Sequence, residues 1–257
     1  MKALITGASS GLGREMACIL SEKGYDIIAV ARREEKLLEL KDTLNTNVEI
    51  MCLDVTNKAH LEKIASRLSE VDVFINNAGF GVFGDLCSTS LDSELNMIET
   101  NVTAVHILTK LAAKIFAERD YGYILNVASV AAFFPGPLFA AYYASKSYVL
   151  RLTESLYEEL RRNKSKVKIS VLCPGPIHTE FEDVAKVKFS TGNEKGAGII
   201  MVDKTKACQY AINRMFKGKL IIVPGFLTRA AVFLRRILSE KLLCRILYYV
   251  QSKKMIH

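Results

Sequence analysis

A doubly wound α/β fold, with a parallel sheet covered by helices on both faces, is predicted for this 257-residue chain by three observations. Short β-rich runs alternate with longer helical patterns along its length. A glycine-rich stretch lies between the first strand and the first helix. The residues able to do chemistry fall just after strands, at the carboxyl ends where such sheets hold their ligands.

The elements follow in order. Lys2–Thr6 reads as a buried strand and Leu12–Lys23 as a helix. Asp26–Ala31 is a second strand, and Glu34–Leu44 a charged amphipathic helix. Val48–Leu53 is a strand, His60–Leu68 helical, and Val71–Ile75 the fourth strand. Leu95–Glu118 is mostly helix, followed by strand Tyr123–Val127. Ala141–Arg162 is a long helix, and Val167–Cys173 a strand. Thr205–Phe216 is a helix and Leu220–Val223 the last strand.

Half of the residues are hydrophobic, enough for a sizeable core, and no linker or repeat marks a boundary. Residues 1–225 are expected to form the catalytic part, including a substrate loop at 178–203, and 226–257 a helical extension of the same domain. The segment before the first glycines is too short for a signal peptide, so a cytoplasmic protein is expected. Six dispersed cysteines form no CxxC. They read as buried reduced thiols, not disulfides or a metal site. The net charge is +8, but residues 226–257 hold seven Lys/Arg and one acid, which leaves +2 for the body. That distribution argues against a nucleic-acid protein.

Thr6-Gly7-Ala8-Ser9-Ser10-Gly11-Leu12-Gly13 joins the first strand to the first helix. Glycines let backbone approach a pyrophosphate, and the helix N-terminus offers it free N–H groups. The spacing is GxxxGxG, not the commoner GxGxxG. Where an NAD-binding fold carries an acid after the second strand, this chain has Arg32 and Arg33. A guanidinium pairs with a 2′-phosphate and finds no comparable partner on a 2′-hydroxyl, so NADP(H) is expected over NAD(H).

Tyr142 and Lys146 are four residues apart, hence on one face of a helix. A neighbouring ammonium favours the phenolate. Lowering a phenol from about 10 toward neutrality takes about 4 kcal/mol of differential interaction. Tyr142 is then a proton donor and acceptor for a carbonyl/alcohol pair.

With these motifs the chain resembles the short-chain dehydrogenase/reductase family over roughly Lys2 to Pro224. Besides the glycine loop and the Tyr/Lys pair, it carries Asp54-Val55 after the third strand and Asn76-Asn77-Ala78-Gly79 after the fourth. Asn101 lies in the following helix, Ser129 stands 13 residues before Tyr142, and Pro174-Gly175-Pro176-Ile177-His178-Thr179 follows the sixth strand. The resemblance implies a Rossmann-type fold in which Asn101, Ser129, Tyr142 and Lys146 are catalytic. Tyr142 would act as acid/base, Ser129 would orient the carbonyl oxygen, and Lys146 would hold the nicotinamide ribose. Asn101 would position a water that links Lys146 to solvent. Gly7, Ser9, Ser10, Gly11, Leu12, Gly13, Arg32, Arg33, Asp54, Val55, Asn77, Ala78, Gly79, Pro174, Gly175, Ile177 and Thr179 would bind the cofactor together with Tyr142 and Lys146. One departure is Ser10, where many NADP-preferring relatives carry a base; the 2′-phosphate would then depend mainly on Arg32, helped by Arg33 and Ser9 or Ser10. A homodimer through the two long helices is the family's usual assembly.

Phe133–Phe139 is apolar and is expected to wall the substrate pocket, with Tyr143 a packing residue. The glycine-rich 178–203 loop reads as a lid or as a plain surface loop. The apolar wall favours a lipophilic ketone, aldehyde or secondary alcohol. Phe226–Leu238 and Glu240–Ser252 each plot as an amphipathic helix with a basic side. Two readings stand: peripheral contact with an anionic membrane, or apolar faces buried against the pocket or a subunit. The expectation is an NADP(H)-dependent oxidoreductase, the alternative a non-catalytic NADP(H)-binding sensor or scaffold.

Overall fold

The computed structural model describes residues 1–177, 180 and 203–253. Seven strands, β1 Lys2–Thr6, β2 Asp26–Ala31, β3 Val48–Cys52, β4 Val73–Asn76, β5 Tyr123–Val127, β6 Lys168–Leu172 and β7 Ile221–Ile222, build one sheet. Its order is β3-β2-β1-β4-β5-β6-β7, and every neighbouring pair is parallel. The chain winds outward from β1 to β3, returns to place β4 on the other side of β1, and winds outward again. The β1/β4 junction is therefore the switch point where a crevice opens beyond the strand ends.

The described helices are α1 Gly11–Glu22, α2 Glu34–Thr43, α3 Lys58–Ser66, α4 Leu91–Ile98, α5 Val105–Glu118, α6 Ala140–Arg162, α7 Lys204–Phe216, α8 Phe226–Leu234 and α9 Glu240–Ser252. Because side chains alternate along a strand, β1 sends Ala3 and Ile5 to one face and Leu4 to the other. The first face packs Ile27, Ala29, Ile75 and Leu125 against Met16 and Leu20 of α1, Leu37 of α2 and Ile212 of α7. The second packs Ile28, Phe74, Ile124 and Ile169 against Ile64 of α3, Leu108 and Phe116 of α5 and Leu160 of α6. Each fully buried Leu, Ile or Phe contributes about 1.5–3 kcal/mol.

The strand and helix expectations hold with shifted ends. The helix expected from Leu95 begins at Leu91, where Ser90 caps it by accepting from the Ser93 N–H. It does not run uniformly to Glu118, because Glu99–Ala104 is π-helical. A short 3₁₀ turn at Val130–Phe133, not foreseen, follows Ser129. All six cysteines are free, but only Cys173 and Cys208 are buried, while Cys52 and Cys87 are exposed. The expectation of buried thiols throughout is corrected: apolar neighbours in sequence do not bury the outer edge strand β3 or the loop before α4. No cluster among the described residues could hold a metal ion.

A chain of buried polar groups crosses the second layer. The Asn76 amide donates to the Val105 carbonyl at 3.1 Å and the Thr109 hydroxyl at 3.2 Å. Thr109 donates to Asn126 at 2.9 Å, Asn126 to Thr153 at 2.9 Å, and Thr153 to the Val149 carbonyl at 2.7 Å. It links β4, α5, β5 and α6, the elements that carry the candidate acid/base residues. Asn126→Ala strands the Thr109 hydroxyl in the core and is expected to cost about 2–3 kcal/mol in urea unfolding. A loss below about 0.5 kcal/mol would show that the chain of bonds does not brace these elements.

Candidate active site

A cleft of about 520 Å³ runs along the carboxyl ends of the strands, from the glycine loop to Tyr142 and Lys146. At one end Gly7 and Gly11 adopt left-handed backbone, with φ +67° and +55°. A Cβ on Gly13 would lie 2.3 Å from the Gly7 carbonyl oxygen, so only glycine lets α1 begin this close to β1. The α1 N-terminus has neither a side-chain cap from Ser10 nor an acid in its first turn. Its N–H groups and positive dipole end are thus left for an anion. This loop, with its close backbone approach, fits the pyrophosphate of a dinucleotide.

The end of β4 pins the loop. The Thr6 hydroxyl accepts from the Asn77 N–H at 2.9 Å and the Ala78 N–H at 3.1 Å. In return the Asn77 amide donates to the Thr6 and Gly7 carbonyls at 3.0 and 3.2 Å. Beyond β2, Arg33 donates to the Ser9 hydroxyl at 3.2 Å and pairs with Glu180 at 2.7 Å. Arg32 lies 3.8 Å from Asp54 and is more open to solvent. Partial burial works against the Asp54 charge, yet bonds from the Thr56 N–H and hydroxyl, with Arg32 nearby, hold its carboxyl below the ordinary value. Bonding from Arg33 lowers Glu180 likewise. Both guanidiniums line the cleft, but Arg33, expected as the helper, is the one joined to the glycine loop.

At the other end, α6 presents Tyr142 and Lys146 to the same cleft, and both are buried. Lys146 donates to the Val127 carbonyl at 3.1 Å. Asn101 holds the Phe80 backbone from both sides, donating to its carbonyl at 2.8 Å and accepting from its N–H at 3.1 Å. Its second amide hydrogen goes to the Ser145 hydroxyl at 3.1 Å. Both donors are thereby used, and one lone pair of Oδ1 remains for a water. The π-helical turn around Asn101 is the local irregularity that often marks a functional site. Asn101 and Lys146 flank Gly79, where a Cβ would meet Asn101 Oδ1 at 2.8 Å and Lys146 Nζ at 3.1 Å. Ser129, two residues beyond β5, caps the 3₁₀ turn by accepting from the Ala131 N–H at 3.1 Å.

The expected lowering of Tyr142 by Lys146 is not found. Burial pushes the phenol above its ordinary value, and hydrogen bonding with Ser129 opposes this only in part. The Lys146 ammonium stands 5.8 Å from the Tyr142 ring centroid and is itself lowered to about 8 by burial. Desolvation raises the phenol and lowers the ammonium because both groups sit in one low-dielectric pocket.

The walls differ from expectation. Of Phe133–Phe139, Phe139 lines the cleft and stacks on Tyr142 at 4.5 Å, whereas Phe133 turns into the core beside Val149 and Val171. Leu138, at φ +62°, makes the left-handed turn that starts α6. Tyr143, expected only to pack, also faces the cleft, lying so close over Gly136 that a Cβ there would meet its ring at 2.2 Å. Glu180, the described residue of the expected substrate loop, lines the cleft, as does Phe80, which was missed. Phe80 directly follows the Asn-Asn-Ala-Gly motif, a position that could have signalled it. Pro174, Gly175 and Ile177 complete the far side. Thr179 and the 181–202 part of the loop lie outside the described residues.

The family model for short chain dehydrogenase matches residues 1–188. The chain belongs to the short-chain dehydrogenase/reductase family. Among relatives of this family, the NADP-dependent 3-hydroxy acid dehydrogenase YdfG of Escherichia coli is 32% identical over 190 residues, covering 72% of this chain and 76% of that protein. Human 17-beta-hydroxysteroid dehydrogenase type 3 is 28% identical over 250 residues, covering 93% and 80%. A short-chain dehydrogenase from Sphingobium yanoikuyae in complex with NADPH superposes with TM-score 0.79 at 26% identity, covering 93% of this chain and 96% of that one. A family member from Burkholderia phymatum in complex with NAD gives 0.81 at 27%, covering 91% and 92%. The protein is therefore an oxidoreductase of the short-chain dehydrogenase/reductase type that uses a nicotinamide cofactor on a small-molecule substrate.

The burial of Lys146 gives a pH signature. Its ordinary value of 10.5 applies in the unfolded chain and about 8 in the fold, so the unfolded state binds more protons between those values. Stability should rise with pH across that window. Tyr142 acts in the opposite sense, because its folded value lies above the ordinary 10.0 and its contribution is lost above that pH. Urea unfolding between pH 7 and 9.5 should show the rise in the native chain and a smaller one in Lys146→Met. Parallel profiles would mean that this lysine is not held in a desolvated pocket.

Proposed function

We propose that the protein is an NADP(H)-dependent carbonyl reductase acting on a lipophilic ketone or aldehyde, with Tyr142 as proton donor. The convergence of Tyr142, Ser129 and Lys146 at the end of one cleft, with Asn101 buried beside Lys146 behind Gly79, carries this reading. The glycine loop, the α1 N-terminus, Arg32, Arg33, Asp54, Val55 and Asn77–Gly79 would hold the dinucleotide. Pro174, Gly175 and Ile177 would lie along its reactive end, and Thr179 belongs to the same proposal. When bound, the reduced nicotinamide supplies hydride, chemistry that no side chain provides.

The chain's own residues do the rest. Ser129 donates a hydrogen bond to the substrate oxygen and orients it. Tyr142, whose phenol burial keeps protonated at neutral pH, gives that oxygen its proton. A protonated phenol is the form that reduction consumes, and its phenolate the form that alcohol oxidation would need. Lys146 resupplies Tyr142 and binds ribose hydroxyls through the N–H groups it does not spend on Val127. Asn101 holds Phe80 and offers its remaining lone pair to a water that relays the proton. Phe80, Phe139, Ala131 and Tyr143 make an apolar wall, which supports a lipophilic carbonyl. NADP(H) preference rests on the paired guanidiniums, and a homodimer is part of the same proposal.

Tyr142→Phe should lower kcat by about 10²–10⁴-fold while leaving NADPH affinity within about twofold. NADPH oxidation against ketones of increasing apolar length measures both rate and preference. Near-native turnover in the variant would remove Tyr142 from the chemistry. Arg33→Ala should weaken NADPH binding by about 10–100-fold and NADH binding little, since one charge-assisted contact contributes about 1.5–3 kcal/mol. Equal losses for both cofactors would remove the 2′-phosphate role.

A further inference from the structure

Helix α8 rests on the body by its less apolar side, and α9 by Leu243, Leu247 and Gln251. Along α8 and the 3₁₀ turn Arg235–Ile237 that continues it, Thr228, Val232 and Arg235 recur at intervals of four and three residues and form a half-buried stripe. Thr228 lies against Gly175, Val232 joins the core cluster of Val149 and Val171, and Arg235 donates to the Phe133 carbonyl. The opposite side carries Phe226, Phe233, Leu234 and Ile237, exposed at 76%, 63%, 54% and 74%. On α9 the buried positions are Leu243 and Gln251, and the outer side carries Leu242, Ile246 and Tyr249, all exposed. These side chains are therefore not covered by this chain, so of the burials the sequence allowed, the one against its own pocket holds only for Leu243. A concentration of large apolar side chains of this kind marks an interaction surface.

Charge selects the occupant. Arg229, Arg236, Lys241, Arg245 and Lys253 are exposed on these helices and the residues that directly follow them, against the single acid Glu240. A second copy of this face would bring like charges together as its apolar groups met. An anionic surface complements both features at once, with cations at the headgroups and aromatic and aliphatic side chains below them. No described helix is long and apolar enough to cross a membrane, so the contact would be peripheral.

We infer that α8 and α9 form a docking surface for an anionic phospholipid bilayer. This goes beyond the reaction proposed above and does not depend on it, because lipid binding is read without turnover. The surface adjoins the cleft through the contact of Thr228 with Gly175, and a bilayer would present lipophilic carbonyls near the site.

The test is flotation of the full chain with vesicles of phosphatidylcholine alone and of phosphatidylcholine mixed with phosphatidylserine. Two variants run alongside: Phe233→Ser with Ile237→Ser, and Arg229→Gln with Arg236→Gln and Arg245→Gln. Light scattering reports the mass of each, and thermal unfolding its folding. The native chain should bind the mixed vesicles and not the neutral ones. The arginine variant should lose roughly fivefold for each cation removed, about a hundredfold in all, and the apolar variant should not float. Three results overturn the inference: no binding by the native chain, equal binding to both vesicle types, or unchanged binding by both variants. A native assembly that dissociates in the apolar variant assigns the face to a second copy and overturns it too. Should one variant fail to fold, the other and the lipid comparison decide.

Discussion

The reciprocal clasp between Thr6 and Asn77 is the constraint on which the rest of the site depends. Strands β1 and β4 are adjacent in space but separated by the outward winding of β2 and β3, and their ends must open a crevice without parting. One hydroxyl accepting two backbone N–H groups, and one amide returning to two carbonyls, closes that junction. The glycine loop is then held at a set distance from Gly79, and through Gly79 from Asn101 and Lys146. A dinucleotide needs its phosphate and nicotinamide ends placed together, and this clasp spans both. None of the four bonds is strong alone, at about 1 kcal/mol net, but each satisfies a group that would otherwise be unpaired at a strand end.

A second set of polar contacts positions α5 and α6 on the sheet. Hydrophobic packing presses helices against strands but permits sliding, because apolar contacts are non-directional. The Asn76–Thr109–Asn126–Thr153 chain removes that freedom, since sliding would leave its buried donors without acceptors. The helices thereby bring Tyr142 and Lys146 to the end of β5, where Ser129 waits. Burial has a further effect on these groups: it keeps the phenol protonated and makes the ammonium easier to deprotonate. The two shifts suit an acid that donates and a lysine that can replenish it.

The parallel sheet followed from the alternating pattern, the glycine loop, Tyr142 and Lys146 were legible because backbone demands and chemistry confine them to few residue types, and Asn101 and Ser129 were legible only through the family resemblance. Gly7 must take positive φ, and Lys146 must lie one turn from Tyr142. Phe133 and Tyr143 were misjudged because apolar character does not say whether a ring faces a core or a cleft; the left-handed turn at Leu138 decides that. Arg32 and Arg33 were found as a pair, but which one meets the glycine loop depends on how Asp54 and Glu180 compete for them.

The sequence by itself determined the parallel α/β fold, the order of the motifs and the family, since periodicity and local backbone chemistry are properties of the chain. Tertiary structure alone decided the sign of the Tyr142 shift, because desolvation depends on everything packed around a group. It also decided which faces of the C-terminal helices look outward. An amphipathic helix states that it has two faces; only its contacts, Thr228 on Gly175 and Arg235 on Phe133, say which one is turned to the protein.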